Sequence, residues 1–173
     1  MAQLVANFAP FLWYCRDANV KPRILNFFKG LRSAEGKDLR IGVAGFCWGG
    51  RHTVLLAHDV EKTSDGRSLI DAAYTAHPSM LSVPADINAI KLPISMSLST
   101  ADGALPLAKA KETESILNKK DSTRHEIYLG GIFEGAKHGF AIRGDPKNEK
   151  ETEVGMAAED QAVSWFLKQL VGR

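Results

Sequence analysis

Cys47 stands where a cysteine can become a nucleophile. Gly45-Phe46-Cys47-Trp48-Gly49 has the form G-x-C-x-G. It joins a short apolar run, residues 40–46 (RIGVAGF), to a run with helical character, residues 48–58 (WGGRHTVLLAH). A sharp strand-to-helix turn of this kind holds a nucleophile above a sheet. The helix N-terminus behind it offers free N–H groups and partial positive charge. Both favour the thiolate, which is the reactive form of cysteine. Such a nucleophile needs a base to take its proton and a carboxylate to orient that base. Asp102, in Ser99-Thr100-Ala101-Asp102-Gly103, is the candidate acid, and His138, in Gly135-Ala136-Lys137-His138-Gly139-Phe140, is the candidate base. The N–H of Trp48, next after the cysteine, is the expected oxyanion donor.

Each residue also has a plainer reading. Cys47 could be a core thiol in a Gly-rich turn. Asp102 precedes a helical run and could cap it. His138 could be a surface-loop histidine. Taken together the three favour catalysis, because each follows a different predicted strand. Their order along the chain, nucleophile then acid then histidine, is the one α/β-hydrolases use. A phosphate-binding turn fits poorly, since Gly42, Gly45 and Gly49 do not make G-x-G-x-x-G and no G-K-[ST] follows. His52 and His58 fall within the helix after the elbow, and His125 begins a strand. His77 ends a strand, just before Pro78, and is expected to line the substrate pocket. The histidines lack metal-ligand spacing, so no metal is expected, and a nucleophile–base–acid set of this kind needs no organic cofactor.

The elements that must position these residues alternate. Residues 22–34 are expected to be helical, with Pro22 in the first turn and Ile24, Leu25, Phe28 and Leu31 on one stripe. Residues 40–46, 70–76, 92–99 and 125–130 read as strands. Residues 48–58, 105–120 and 156–171 read as helices, the last with Ala162, Phe166 and Leu170 a turn apart. Strands alternating with helices imply a three-layer α/β/α sandwich with a mostly parallel sheet. Ligands of such sheets sit beyond the carboxyl ends of the strands, where the candidate residues fall. One domain over residues 1–173 is expected, with an N-terminal segment 1–21 and a core 22–173.

Bulk properties set the outer bounds. The chain has 173 residues, 45% hydrophobic and 24% charged, as in ordinary globular proteins. Its 22 basic and 20 acidic residues leave a formal charge of +2, too near balance to imply nucleic acid or an anionic membrane as partner. Cys15 and Cys47 make no disulfide framework, and the N-terminus lacks the basic start and long apolar core of a secretory signal. The expected location is cytoplasmic, and the expected partner is a small molecule.

The segments GVAGFCWGGR, AHPSML, STADG and GAKHGFAIRGD together resemble the dienelactone hydrolase family, especially its fungal members, from about Phe8 to Leu170. The resemblance implies an α/β-hydrolase fold and hydrolysis of an ester or lactone by a Cys-His-Asp triad. It assigns Cys47 as nucleophile, Asp102 as acid and His138 as base. It also implies that Arg143, in FAIRGD, holds a substrate carboxylate, the alternative being a solvated loop arginine. Complete family members carry further strands upstream of the elbow, so the fold is expected to lack its first strands. Those strands normally supply a second oxyanion donor. An uncovered strand 40–46 would then be an apolar edge prone to self-association. The alternative to an active hydrolase is a weak or inactive relative that serves as a binding module.

Overall fold

The computed structural model of the protein describes residues 9–171. The first eight residues of the expected N-terminal segment, and residues 172–173, lie outside the described residues. Packing divides the chain into two units, one of residues up to Leu39 together with Glu61–Leu69, the other of Arg40–Val60 together with the chain from Ile70.

In the smaller unit, residues 9–14 are helical and helix α1 spans Asp17–Ser33. Asp17 supplies negative charge to the first turn of α1, where it suits the helix dipole. Pro22 therefore lies inside the helix rather than in its first turn, and one backbone hydrogen bond is forfeited there. Arg32 is buried and donates from Nε to the Ser68 carbonyl at 3.0 Å and from Nη1 to the Leu39 carbonyl at 2.7 Å. A buried guanidinium is tolerated only when its donors are spent in this way. Phe28 provides the buried apolar contact of α1.

The larger unit is built on four parallel strands in the order β1-β2-β3-β4: Gly42–Phe46, Ala72–Ala76, Ile94–Leu98 and His125–Leu129. Every residue of β2 and β3 is buried, as expected of central strands covered on both faces. Among the described residues no strand pairs with the outer edge of β1. Helix α2 (Trp48–Ala57) follows β1, the short α3 (Ala85–Asn88) follows β2, and α4 (Leu107–Leu117) joins β3 to β4. The closing helix α5 spans Glu149–Phe166 and ends in a wider turn, Leu167–Val171.

The alternation of side chains along the strands divides the layers. Tyr74 and Ala76 face α5 and pack with Phe133, Phe140, Val154, Ala158 and Trp165. Thr75, on the opposite face of β2, lies against α2, where a Cβ on Gly50 would meet its Oγ1 at 2.4 Å. Several polar side chains between sheet and α5 are linked in series. Tyr74 donates to the Ala158 carbonyl at 2.7 Å, and its hydroxyl lies 2.8 Å from Ser97 Oγ. Ser97 reaches Gln161 at 2.7 Å, and Gln161 donates to Ser95 at 2.8 Å.

Helix α5 begins seven residues before the expected start at 156. Its first turns are polar, so hydrophobic periodicity is silent there. The capping signal was nevertheless in the sequence: Asn148 precedes the helix, its side chain accepts from the Glu151 N–H at 3.3 Å and its amide donates to Glu151 Oε1 at 3.1 Å.

Candidate active site

Cys47 occupies the single residue between β1 and α2. Its backbone has φ 53° and ψ −122°, a conformation that L-residues avoid. The turn is held by close approach of strand and helix. A Cβ on Gly45 would lie 2.1 Å from Thr53 Oγ1 and 2.6 Å from the Gly49 carbonyl oxygen, so only glycine fits. Gly50, against Thr75 and Pro78, is equally constrained. Gly49, the second glycine of the G-x-C-x-G pattern, has open space around its Cα instead. The tight pair is thus Gly45 and Gly50.

The four parallel strands deliver their carboxyl ends to one edge, and the candidate residues meet there. His138 Nε2 lies 3.1 Å from Cys47 Sγ. On its other side His138 Nδ1 lies 2.9 Å from both Asp102 oxygens. Asp102 is buried and also accepts from the Ala104 N–H at 2.8 Å, which fixes its carboxylate. Two contacts tie the loops of acid and base together: Ser99 donates to the Ala136 carbonyl, and the Gly135 N–H donates to Thr100 Oγ1 at 3.1 Å.

These contacts shape the titration of the pair. Burial disfavours the Cys47 thiolate, but hydrogen bonds from His138, Ser79 and the Trp48 N–H outweigh it, so the thiol is held below its ordinary value. Burial likewise disfavours the His138 cation, but its hydrogen bonds to Cys47 and Asp102 outweigh that and raise it. Both shifts favour a thiolate–imidazolium pair.

Ser79 was not singled out by the sequence. Its N–H donates to the Cys47 carbonyl at 3.0 Å, and its hydroxyl lies 3.9 Å from Sγ. The motif AHPSML contains it, two positions after His77. His77 differs from its expected role. It is fully buried and therefore presents no surface to a ligand. With φ 39° its ring turns inward, edge-on to His138 at 5.1 Å between centroids and against Phe140 at 5.2 Å. Burial, aided by the charge of His138, lowers His77 to about 4, so it stays neutral and does not compete for the proton. Among the described residues four non-glycine residues have positive φ, and three of them are Cys47 at the elbow and His77 and Met80 on either side of Pro78-Ser79.

Arg143 lies one turn beyond His138. A Cβ on Gly139, which has φ 97°, would meet Arg143 Nε at 2.5 Å, so the glycine lets the guanidinium stem lie across the loop. His138, Gly139, Phe140, Arg143, Glu151 and Val154 help line a cavity of about 410 Å³ that adjoins the histidine. Among the described residues no three His, Cys, Asp or Glu side chains gather to hold a metal ion, and no helix is long and apolar enough to cross a membrane.

Comparison with known proteins adds sequence and fold relatives. The sequence pattern of the dienelactone hydrolase family matches residues 8–170. Hydrolase pyvD of Aspergillus violaceofuscus is 32% identical over 131 residues, covering 76% of this chain and 48% of that protein. Hydrolase tropI of Talaromyces stipitatus is 33% identical over 132 residues, covering 73% and 45%. The chain thus spans about half the length of these two relatives. Among solved structures, the thermophilic esterase Est2 of Thermogutta terrifontis superposes with a TM-score of 0.61 at 19% identity, covering 81% of this chain and 61% of that one. At that identity the likeness is one of fold, an α/β-hydrolase fold.

Proposed function

The chain belongs to the dienelactone hydrolase family, and from that membership we propose that it hydrolyses an ester or lactone bond of a small molecule through Cys47, His138 and Asp102. The observation that carries the reading is the continuous hydrogen-bonded series from Asp102 through His138 to Cys47, at 2.9 and 3.1 Å, with the sulfur on a strained elbow. Nucleophile, base and orienting acid have the mutual distances a triad requires.

The chemistry follows from these positions. The Cys47 thiolate attacks the carbonyl carbon, and the carbonyl π pair moves to oxygen. The Trp48 N–H stabilises that oxyanion. Collapse breaks the bond to the alkoxy oxygen, which takes the proton from His138 Nε2. For a lactone the released hydroxyl stays tethered to the acyl group. A water then gives a proton to His138 and attacks the thioester. The second collapse frees the carboxylic acid and restores the thiolate–imidazolium pair. Asp102 holds the Nδ1 proton and the ring orientation throughout. Arg143, beside the cavity that adjoins His138, holds a carboxylate of the substrate away from the scissile bond.

The test uses p-nitrophenyl acetate and an ester-like covalent probe. Cys47→Ala should abolish turnover and probe labelling, and Cys15→Ala should leave both nearly unchanged. His138→Ala should block labelling of Cys47. Unchanged ester hydrolysis by Cys47→Ala would overturn the reading.

A further inference from the structure

We propose that the Ser79 hydroxyl is a catalytic hydrogen-bond donor, resting on the Cys47 thiolate and passing to the carbonyl oxyanion when the sulfur attacks. The inference rests on the Cys47 reading above and assigns that site a side-chain oxyanion donor beside the Trp48 N–H.

Three observations carry it. The first is position: Ser79 Oγ is 3.9 Å from Sγ, and the sulfur has no proton to donate once ionised, so the hydroxyl is the donor. A carbonyl oxygen on a carbon one bond from Sγ can then sit about 2.7–3.1 Å from Oγ, the range that an oxyanion donor needs. The second is preorganisation. The Ser79 N–H is anchored on the Cys47 carbonyl at 3.0 Å, so the donor and the nucleophile are parts of one backbone unit. The preceding His77 N–H bonds the Ser97 carbonyl at 3.1 Å. The following Met80 carbonyl accepts from Arg51 Nη1 at 2.7 Å, and Asp86 pairs with Arg51 at 3.3 Å while accepting from the Ser82 N–H at 2.7 Å. The third is strain. His77 and Met80, with φ 39° and 59°, bracket Pro78-Ser79. Two unfavourable backbone conformations around one short segment are the mark of a loop built to aim a group.

The hydroxyl also has the right chemical range. It is neutral, so it does not compete with His138 for protons. It rotates freely about one bond, so a single group can serve the thiolate first and the oxyanion next. The Trp48 N–H at the start of α2 is fixed in direction and complements it.

The experiment compares wild type, Ser79→Ala and Cys47→Ala in three assays. With p-nitrophenyl acetate, Ser79→Ala should lower kcat on the order of 10²-fold with KM little changed, the loss typical of one oxyanion donor. A trifluoromethyl ketone, whose adduct with Cys47 carries the same tetrahedral oxyanion, should lose affinity by a similar factor. Iodoacetamide forms no oxyanion. It should still alkylate Cys47 in Ser79→Ala, with the midpoint of its pH dependence raised. Turnover by Ser79→Ala within about threefold of wild type, well short of an oxyanion-donor loss, would overturn the proposal. So would lost turnover with undiminished ketone affinity. Ester hydrolysis by Cys47→Ala would instead overturn the nucleophile assignment, so the two failures are distinct.

Discussion

Placing a methyl group on Gly45 tests the close packing that forms the elbow. The Cβ of Gly45→Ala would lie 2.1 Å from Thr53 Oγ1, 2.6 Å from Gly49 O and 2.8 Å from Gly49 C. Thr53 is buried and has little room to turn away. The other two atoms are backbone of α2, so relief requires the whole helix start to move off the strand. Overpacking of a closed core costs about 1–3 kcal/mol, and a backbone clash belongs at the upper end. Against a typical domain stability of about 5–15 kcal/mol this is a large share. Equilibrium urea unfolding should show a midpoint lowered by about 1–2 M at unchanged slope. The melting temperature should fall by about 6–12 °C. Hydrolysis should fall as well, because moving α2 displaces Cys47 and Trp48 together. Gly49→Ala is the control. Its Cβ meets nothing within 4 Å, and alanine is the better helix former by up to about 1 kcal/mol. A wild-type midpoint for Gly45→Ala, or an equal loss for Gly49→Ala, would refute the reasoning.

Other consequences are testable alongside. Asp102→Asn should keep the shape of the site but put the proton on the wrong nitrogen of His138, lowering kcat by on the order of 10³–10⁴-fold; near-full activity would move the acid role elsewhere. The pH profile of kcat/KM should be bell-shaped. Activity rises as the thiol ionises, below its ordinary range because its hydrogen bonds exceed the burial effect, and falls as the imidazolium deprotonates, above its ordinary range. The two limbs belong to the pair, so His138→Ala should abolish both rather than shift one. The outer edge of β1, with which no strand pairs among the described residues, should favour self-association, read by sedimentation velocity over a concentration series; a monomer at every concentration would refute it.

Much of this arrangement was legible in the sequence because hydrophobic runs and turns alternate with little ambiguity. The runs at 40–46, 70–76, 92–99 and 125–130 each contain an observed strand, trimmed by a residue or two at the ends. Their order also predicted that residues just after them would share one edge of the sheet. What escaped was set by backbone conformation and close approach. No rule of side-chain pattern says that His77 adopts φ 39°, and that angle puts its ring under His138 and leaves Ser79 at the sulfur. The distinction between Gly49 and Gly50 likewise depends on which Cα faces Thr75 and Pro78. Pro22 misled in another way. A proline suits a first turn, but the acidic start at Asp17 carries the helix back past it.

The left-handed backbone at Cys47 sets the elbow at odds with thermal robustness. A non-glycine residue held there costs about 1–3 kcal/mol, a cost that glycine would largely remove. Selection for heat tolerance alone would therefore drift toward losing the thiol. A library screened for folding without a screen for turnover would enrich inactive chains at this one codon. Engineering for durability has to gain its stability elsewhere, for example through better caps on α4 or stronger packing beneath α5, and leave the turn under tension.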